Sequence, residues 1–347
     1  MTSRPPPSEL LSWAQSVVAN SREPWPEPSL SVVAGDASNR RYFRAGLGAR
    51  SYILVDAPPA TEKNQAFLAV REMLAGAGVK VPALYGADLE RGFLVLEDLG
   101  DRLLLNELAA DSVDDWYGLA MGVLGQVATL NVAKLELPAY DASLLGEELS
   151  RFPEWFAEAL LGYSLADDER VLLDKVFALL RDSALEQPRV LVHRDFHSRN
   201  LMPQADGQLG VIDFQDAVRG PISYDLVSLL RDCYIHWPEE RVRGWALAYR
   251  RQLQSQGLLP GVDAARFLRW FDLMGLQRHI KVLGTFARLY LRDDKPSYLA
   301  DLPLVIQYVL EISARYGAEE PLLAGFHRWF EDGLTPLIAD QPWSAKS

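Results

Sequence analysis

The sequence predicts an α+β protein with two lobes, a small β-rich lobe followed by a larger helical one. Three observations lead to this prediction. After a first helix, residues 30–98 contain five strand-like runs and one helix-like run, the chain beyond residue 103 has mostly helical spacing, and the pattern changes at Asp98-Leu99-Gly100. We therefore expect an N-terminal lobe over residues 1–98 and a C-terminal lobe over residues 99–347.

Composition and charge narrow the class of protein. Of the 347 residues, 49% are hydrophobic, which is enough to build a large core, and no apolar run approaches the roughly 20 residues needed to cross a bilayer. The net charge of −12 opposes nonspecific binding to nucleic acid or to an anionic membrane. A single cysteine, Cys233, is typical of a reducing cytoplasm, and Met1–Leu10 predicts no secretory signal. The oligomeric state stays open, and a monomer is compatible with the sequence.

The elements of the N-terminal lobe are predicted from periodicity and turn residues. Helical spacing at Ser8–Asn20 ends in a proline-rich loop, and glycines or a short polar turn separate the later runs. We predict strands at Leu30–Ala34, Arg41–Ala45, Ser51–Val55, Pro82–Ala87 and Gly92–Glu97, with a helix at Thr61–Leu74. A four-residue loop at Gly46–Ala49 would place Arg41 opposite Leu54 and on the same face as Asp56.

The C-terminal lobe is predicted to be helical with one β island. Helical spacing covers residues 103–109, 112–133, 151–162, 167–186, 223–232, 238–256, 262–292, 297–316 and 320–333. The exception is Val190–Asp216, where apolar strand-like runs enclose a polar stretch that contains His193, Arg194, Asp195, His197, Arg199 and Asn200. Burying such groups without partners costs about 2–7 kcal/mol each, so this concentration of polar residues indicates chemistry.

A hairpin explains how these polar residues are arranged. Asp206-Gly207 is typical of a two-residue turn, which would place Asn200 directly opposite Asp213 with both side chains on one face. An amide oxygen and a carboxylate are hard ligands suited to Mg²⁺, which takes its remaining ligands from water and phosphates. Asp195 precedes Asn200 by one short loop and is a candidate base at the same site.

The same residues resemble a known family. The spacing His193-Arg194-Asp195-x-x-x-x-Asn200, followed by Ile212-Asp213-Phe214, is similar to the catalytic-loop and metal-binding signature of protein kinases, with Gln215 where a protein kinase has glycine. Together with the segment 220–226, it resembles the aminoglycoside phosphotransferase/choline kinase family of the bilobal protein-kinase-like fold. The resemblance implies that Asp195 is the catalytic base, that Asn200 and Asp213 hold Mg²⁺ with ATP, and that Asp225 braces the catalytic loop. We expect His193 to be a second brace.

The resemblance also assigns the N-terminal lobe to nucleotide binding. It implies that Gly35, Ser38 and Asn39 lie in the loop over the ATP phosphates, and that the backbone around Glu97 and Leu99 contacts the adenine.

One position departs from the kinase pattern. The strand Ser51–Val55 should present a lysine to the phosphates, but Asp56 follows it instead. Arg41 is the first candidate substitute, Arg44 and Lys63 are further candidates, and an ordinary surface role for Arg41 is the alternative.

Four blocks narrow the resemblance: Gly35–Tyr42, Asp56–Pro59, Leu96–Asp101 and His193–Asp225. Together they resemble the bacterial anomeric kinases of N-acetylmuramate and N-acetylglucosamine. This implies an ATP-dependent cytoplasmic enzyme that phosphorylates the anomeric hydroxyl of a small-molecule sugar in peptidoglycan recycling. Two alternatives remain, an aminoglycoside- or choline-type kinase and a pseudokinase that binds nucleotide without the phosphate lysine.

Acceptor-binding residues are expected in the helical lobe. The offsets of Arg278, Lys281, Arg288 and Arg292 place them along one face of a continuous helix. Such a stripe could attract the lactyl carboxylate of N-acetylmuramate or stabilise the leaving phosphate, and the alternative is a solvated helix face. His197 and Arg231 are further candidates. A basic stripe favours a neutral or anionic acceptor over a cationic one.

Overall fold

A computed structural model describes residues 6–18, 30–33, 39–47, 50–134 and 137–344. The chain forms two compact units, one comprising Met1–Asn106 with Arg199–Asp216 and the other comprising Glu107–Ser198 with Ala217–Ser347. The first is built on an antiparallel sheet and the second is mostly helical. The predicted α+β class is therefore confirmed.

The first unit contains a five-stranded antiparallel sheet. Its strands are β1 (Leu30–Val33), β2 (Arg41–Leu47), β3 (Arg50–Asp56), β4 (Leu84–Asp88) and β5 (Phe93–Glu97), in the spatial order β1-β2-β3-β5-β4. Helices α1 (Ser8–Val18) and α2 (Asn64–Gly76) complete the N-terminal part. Leu10 and Ala14 of α1 pack with Phe43, Leu54 and Val95 of the sheet in one apolar cluster. Alternating apolar side chains on the strands supply this buried face.

The register of β2 and β3 differs from the prediction. Arg41 pairs with Asp56 and Phe43 pairs with Leu54, so the predicted pairing of Arg41 with Leu54 is wrong. Pairing continues to Leu47 and Arg50, which leaves two residues for the connection instead of four. Since the register differs by two positions, the side-chain alternation is preserved and Arg41 still shares a face with Asp56.

A second hairpin, β7 (Leu201–Pro203) with β8 (Leu209–Val211), also belongs to the first unit. The backbone N–H of Val211 donates to the carbonyl oxygen of Lys80 at 2.8 Å. Gly210 is packed so closely that an added Cβ would lie 2.8 Å from Leu99 Cδ1. The predicted division into two lobes between residues 98 and 99 remains a prediction. In the structure, each compact unit comprises two separate segments of the chain.

The second unit surrounds a 28-residue helix. Its helices are α3 (Val113–Ala128), α4 (Ala142–Arg151), α5 (Asp167–Leu185), α6 (Tyr224–Leu230), α7 (Glu239–Ser255), α8 (Ala264–Leu291), α9 (Leu302–Gly317), α10 (Pro321–Trp329) and α11 (Thr335–Ala339). Strands β6 (Arg189–Val192) and β9 (Val218–Pro221) pair antiparallel. Leu276, Ile280 and Leu283 of α8 are fully buried in the main apolar cluster. Within the described ranges, no helix is long and apolar enough to cross a membrane.

Two π-helical segments extend helices of the second unit. Residues Phe152–Leu160 and Phe330–Leu334 form π-helical segments after α4 and α10. Where α8 passes the end of α4, a Cβ on Gly284 would lie 2.4 Å from the backbone carbonyl carbon of Arg151. The absence of a side chain at Gly284 therefore permits the close approach of α4 to α8.

Candidate functional site

The segment that carries Asp195 begins directly after β6 and is fixed by Asp225 in the first turn of α6. The backbone N–H groups of His193 and Arg194 donate to the two oxygens of Asp225, at 2.6 and 2.9 Å. Arg194 has a φ of 77°, in the left-handed region that a non-glycine residue rarely adopts. Two hydrogen bonds to one buried carboxylate hold this costly backbone in place, which is the geometry expected of a brace.

The far end of the same segment is held by a second carboxylate. Asp232 accepts hydrogen bonds from the backbone N–H of Ser198, at 3.0 Å, and from the Ser198 hydroxyl. It also accepts from the backbone N–H of Tyr234 at 3.2 Å. Residues 193–198 are therefore attached at both ends to the chain around α6. Sequence reasoning did not find the contact with Ser198, because no periodicity links the two positions.

Asp195 is partly buried and lies in a cationic environment. Burial would raise the pKa of its carboxyl, but the charges of Lys281, Arg278 and Arg194 outweigh burial and lower the pKa to about 2. The backbone N–H of Asp195 donates to His193 Nδ1 at 3.3 Å. Asp195 is consequently ionised at neutral pH and can accept a proton or orient a hydroxyl.

The predicted direct opposition of Asn200 and Asp213 is wrong. The ladder pairs Leu201 with Val211, which places Ile212 opposite Asn200, and the N–H of Ile212 donates to the carbonyl oxygen of Asn200 at 3.1 Å. In a regular strand, this register would turn Asp213 to the other face. Asp213 instead adopts a φ of 65°, and its Oδ2 lies 3.4 Å from Asn200 Nδ2. The left-handed backbone thus restores the proximity that the register alone would remove.

The turn geometry explains the shift in register. The N–H of Gln204 donates to the carbonyl oxygen of Gln208 at 2.9 Å, and that of Gly207 donates to Gln204 at 3.1 Å. Gly207 has a φ of 81°. These features describe a three-residue loop, in which a type I turn is followed by a left-handed glycine. The Asp206-Gly207 pair correctly predicted a turn, but the loop is one residue longer than predicted.

The oxygen atoms near Asp213 suit a magnesium ion. Gln215 Nε2 donates to Asp213 Oδ1 at 2.6 Å, while the buried Gln215 Oε1 has no hydrogen-bond partner among the described residues. With Asn200, these side chains supply amide and carboxylate oxygens, the hard donors that Mg²⁺ prefers. In the described chain, no group of three or more His, Cys, Asp or Glu residues could hold a metal. This donor set fits an ion that takes most of its ligands from water and phosphates.

The residues predicted to contact the ATP phosphates are only partly described. Gly35 and Ser38 lie outside the described residues. The backbone N–H of Asn39 donates to Glu62 Oε1 at 3.2 Å. Arg41 Nε donates to Asp56 Oδ2 at 2.9 Å, so the arginine and the aspartate that replaces the expected lysine form an ion pair.

The segment predicted to contact adenine is held by ion pairs. Both oxygens of Glu97 accept from Lys80 Nζ, at 2.7 and 2.9 Å. Asp98 accepts from Arg44 Nε at 2.6 Å and from the Ser51 hydroxyl at 2.6 Å. The role of Asp98 was not anticipated from the sequence. These contacts engage the side chains of Glu97 and Asp98 within the protein, and the predicted adenine contact of this backbone remains a prediction.

Among the candidate acceptor residues, Arg231, Arg278 and Lys281 are buried, whereas Arg292 is exposed and follows the end of α8. Arg231 is 1% exposed and donates to Asp272 Oδ1 at 2.6 Å, so this guanidinium is engaged within the protein. Arg278 is 3% exposed and donates to Cys233 Sγ at 3.5 Å, and its Nε has no partner among the described residues. Lys281 donates to the hydroxyl of Tyr224 at 3.1 Å.

His197 is partly buried, its ring is perpendicular to that of Tyr234, and its buried Nδ1 has no hydrogen-bond partner in the part of the chain that the structure describes. Burial lowers its pKa below the ordinary value. The imidazole is therefore neutral at neutral pH and could accept or donate one hydrogen bond to a ligand.

Comparison with known proteins places this arrangement in a family. The model of the phosphotransferase enzyme family matches residues 29–271. The chain is 44% identical over 290 residues to the N-acetylmuramate/N-acetylglucosamine kinase of Pseudomonas putida, covering 84% of this chain and 85% of that protein. It is 40% identical over 320 residues to the enzyme of the same name from Neisseria meningitidis, covering 91% and 93%.

Solved structures agree on the fold. Choline kinase LicA from Streptococcus pneumoniae superposes with a TM-score of 0.60 at 17% identity, covering 88% of this chain and 100% of that one. ADP-bound aminoglycoside phosphotransferase APH(2'')-Ib gives 0.58 at 14% identity, covering 88% and 98%. The predicted protein-kinase-like fold and the predicted family are confirmed. The chain belongs to the phosphotransferase enzyme family, whose members transfer a phosphoryl group to an acceptor hydroxyl.

Proposed function

We propose that this chain is an ATP-dependent kinase that phosphorylates the anomeric hydroxyl of N-acetylmuramate and N-acetylglucosamine. The observation that supports it most is the ionised Asp195 on a doubly braced loop, in a chain 40–44% identical to kinases of these two sugars. Because the phosphoryl donor is ATP, such a reaction implies a cytoplasmic enzyme. The two sugar acceptors imply a role in peptidoglycan recycling.

In this proposal, Asp195 orients the acceptor hydroxyl and receives its proton. The acceptor oxygen bonds to the γ-phosphorus, the bond from that phosphorus to the bridging oxygen of ATP breaks, and ADP leaves. A carboxyl with a pKa of about 2 is a weak base for an alcohol, so the proton moves late, after the bond to phosphorus has begun to form. Orientation is therefore the larger part of the contribution of Asp195.

We assign nucleotide and metal binding to the first unit. Asn200 and Asp213 would hold Mg²⁺, which neutralises charge on the ATP phosphates, and Gln215 Oε1 offers a further oxygen. Arg41 is the proposed cation for the phosphates, and its pairing with Asp56 fixes the guanidinium on the sheet. Gly35, Ser38 and the backbone around Leu99 complete the proposed nucleotide contacts.

Arg278 is the proposed anion-binding residue on the acceptor side. It is buried, contributes to lowering the pKa of Asp195, and has no carboxylate partner among the described residues. A buried guanidinium with an unused N–H is costly unless an anion or another acceptor binds it. The carboxylate of N-acetylmuramate or an oxygen of the transferred phosphoryl group would meet this need. His197, Arg231 and Lys281 remain weaker candidates.

A transfer assay with Mg-ATP tests the proposal. N-acetylmuramate and N-acetylglucosamine should be phosphorylated, whereas kanamycin and choline, which are cationic, should not be. Replacing Asp195 with asparagine should lower kcat by about 10²–10⁴-fold, the usual range for a general base. As a matched control, Asp206→Asn changes an exposed carboxylate of the β7–β8 turn and should keep the wild-type rate. ATP binding without transfer to any acceptor would instead identify a pseudokinase.

A further inference from the structure

Glu148 is a fully buried carboxylate that belongs to no sequence motif. It lies on α4, is 0% exposed, and accepts a hydrogen bond at Oε1 from Arg194 Nη2. Lys281 Nζ lies 3.1 Å from the same oxygen, and the hydroxyl of Tyr140 donates to Oε2. One carboxylate from α4 therefore binds a residue of the loop that carries Asp195 and a residue of α8.

Stability alone is a weak explanation for this cluster. Removing two or three charges from water costs several kcal/mol per ion, and apolar residues of similar volume often replace buried ion pairs without loss of stability. The apolar environment of Glu148 would raise its pKa, but Lys281 and Arg194 outweigh burial and keep it below the ordinary value. A buried cluster that stays ionised at such a cost indicates a role beyond folding.

Both cations held by Glu148 adjoin the proposed base. Arg194 immediately precedes Asp195, and its left-handed backbone sets the direction in which the chain continues from β6 to Asp195. Lys281 is held between Glu148 and the hydroxyl of Tyr224, at 3.1 Å from each oxygen. A shift of Glu148 would therefore move both Arg194 and Lys281. The first immediately precedes Asp195, and the second is a cation near the Asp195 carboxylate.

We propose that Glu148 is a positioning residue of the catalytic loop, holding Arg194 and Lys281 so that Asp195 presents its carboxylate to the acceptor hydroxyl. The inference rests on the proposed phosphotransferase function. Glu148 contacts no reacting atom in this proposal and acts only through the two cations. Its loss should consequently affect the chemical step more than the binding of either substrate.

The kinetic test compares Glu148→Gln with a variant that is only less stable. Glu148→Gln keeps the volume and one acceptor oxygen but removes the charge, and kcat should fall at least 10-fold while both KM values change less than 3-fold. Ile312→Ala is the control, since Ile312 is a 1% exposed core residue of α9 whose truncation lowers stability without removing a charge. Its kcat, per folded enzyme, should equal that of the wild type. Equal kcat values for Glu148→Gln and the control would overturn the proposal.

A milder variant covers the case in which Glu148→Gln does not fold. Tyr140→Phe removes only the hydroxyl that donates to Glu148 Oε2 and keeps the ring stacked edge-on to Tyr224. It should lower kcat several-fold at unchanged KM. An unaltered kcat in this variant would contradict the proposed role.

Amide hydrogen exchange separates this inference from the proposed function. Exchange in residues 193–198 should be faster in Glu148→Gln and in Tyr140→Phe than in the wild type, whereas Ile312→Ala should leave that segment at the wild-type rate relative to the rest of the chain. Unchanged exchange in both cluster variants would refute positioning, whatever the activity. A wild-type protein that transfers no phosphate would refute the proposed function, and exchange would still decide whether Glu148 fixes the loop.

Discussion

The carboxylate of Asp225 accepts a hydrogen bond from the backbone N–H of His193 at 2.6 Å, although Asp225 lies 32 residues later in the chain. Its second oxygen accepts the N–H of Arg194 at 2.9 Å. Burial raises the pKa of Asp225 to about 6, against the opposing effects of His193 and these two N–H groups. Asp225 therefore titrates closer to neutral pH than Asp195, the proposed base on the loop that Asp225 holds.

We predict an acid limb in the pH profile that belongs to Asp225. At saturating Mg-ATP, kcat should fall as the pH drops through about 6, because a protonated carboxyl keeps only part of its acceptor capacity for the two N–H groups. Asp195, with a pKa of about 2, stays ionised throughout this range. In Asp225→Asn, kcat at pH 7.5 should be lower and the limb near pH 6 should be absent. If the acid limb persists in Asp225→Asn, it belongs to another ionisable group.

The same pKa shift predicts a change in stability with pH. A carboxyl whose folded pKa exceeds its unfolded value stabilises the fold when protonated, and this contribution is lost as the pH rises from about 4 through about 6. A shift of about two pKa units corresponds to about 3 kcal/mol. The loss of unfolding free energy between pH 4 and pH 7 should be smaller by up to this amount in Asp225→Asn than in the wild type. Equal losses in the two proteins would argue against a raised pKa.

Magnesium dependence tests the oxygen cluster of the first unit. Asp213→Asn removes the only carboxylate of the proposed donor set, and Gln215→Leu removes the buried Oε1 without removing charge. Both variants should need more Mg²⁺ for half-maximal rate, with the larger increase, at least 10-fold, in Asp213→Asn. Asp206→Asn, in the same hairpin, should show the wild-type requirement. A Gln215→Leu variant with wild-type Mg²⁺ dependence would limit the site to Asn200 and Asp213.

Local chemistry predicted the components of the site, but not their geometry. The turn at Asp206-Gly207 and the polar cluster predicted that Asn200 and Asp213 lie near one another, and their side chains are 3.4 Å apart. The register could not be derived, because Asp-Gly suits both a two-residue loop and a type I turn with a left-handed glycine. The left-handed backbone at Asp213, which compensates for the different register, has no signature in a single sequence.

Long-range partners were the other part that the sequence could not supply. The helix Ala142–Arg151 was not predicted, although its Asp141 cap accepts from two backbone N–H groups and its leucines have helical spacing. Without that helix, Glu148 had no predicted location. Its contacts with Arg194 and Lys281 span 46 and 133 positions, and tertiary packing alone brings them together.

The proposed role of Arg41 as the cation for the ATP phosphates can be tested by kinetics. Arg41→Met removes the guanidinium that pairs with Asp56 and should raise KM for ATP about 10-fold, because a cation near the phosphates is lost. The control is Arg50→Met, which changes an exposed arginine at the start of β3 in the same hairpin. It should leave KM for ATP unchanged. If the two variants behave alike, Arg41 is not the cation that binds the ATP phosphates.

The contact between α4 and α8 predicts opposite effects for two helical glycines. At Gly244, on the exposed face of α7, an added Cβ would meet no atom within 4 Å, so Gly244→Ala should stabilise the protein by up to about 1 kcal/mol through helix propensity. At Gly284, the added Cβ would lie 2.4–2.6 Å from backbone atoms of Arg151 and Phe152. Backbone atoms cannot turn aside as a flexible side chain can, so overpacking should cost about 1–3 kcal/mol.

Thermal unfolding of the two variants should therefore show a higher Tm for Gly244→Ala and a lower Tm for Gly284→Ala. The second change has a further consequence, since pushing the end of α4 away from α8 would separate Glu148 from Lys281, which now lie 3.1 Å apart. We expect kcat of the folded Gly284→Ala protein to fall as well, with little change in KM. Should Gly284→Ala match the stability of the wild type, α4 can shift freely on α8, and the rigid placement of Glu148 would be refuted.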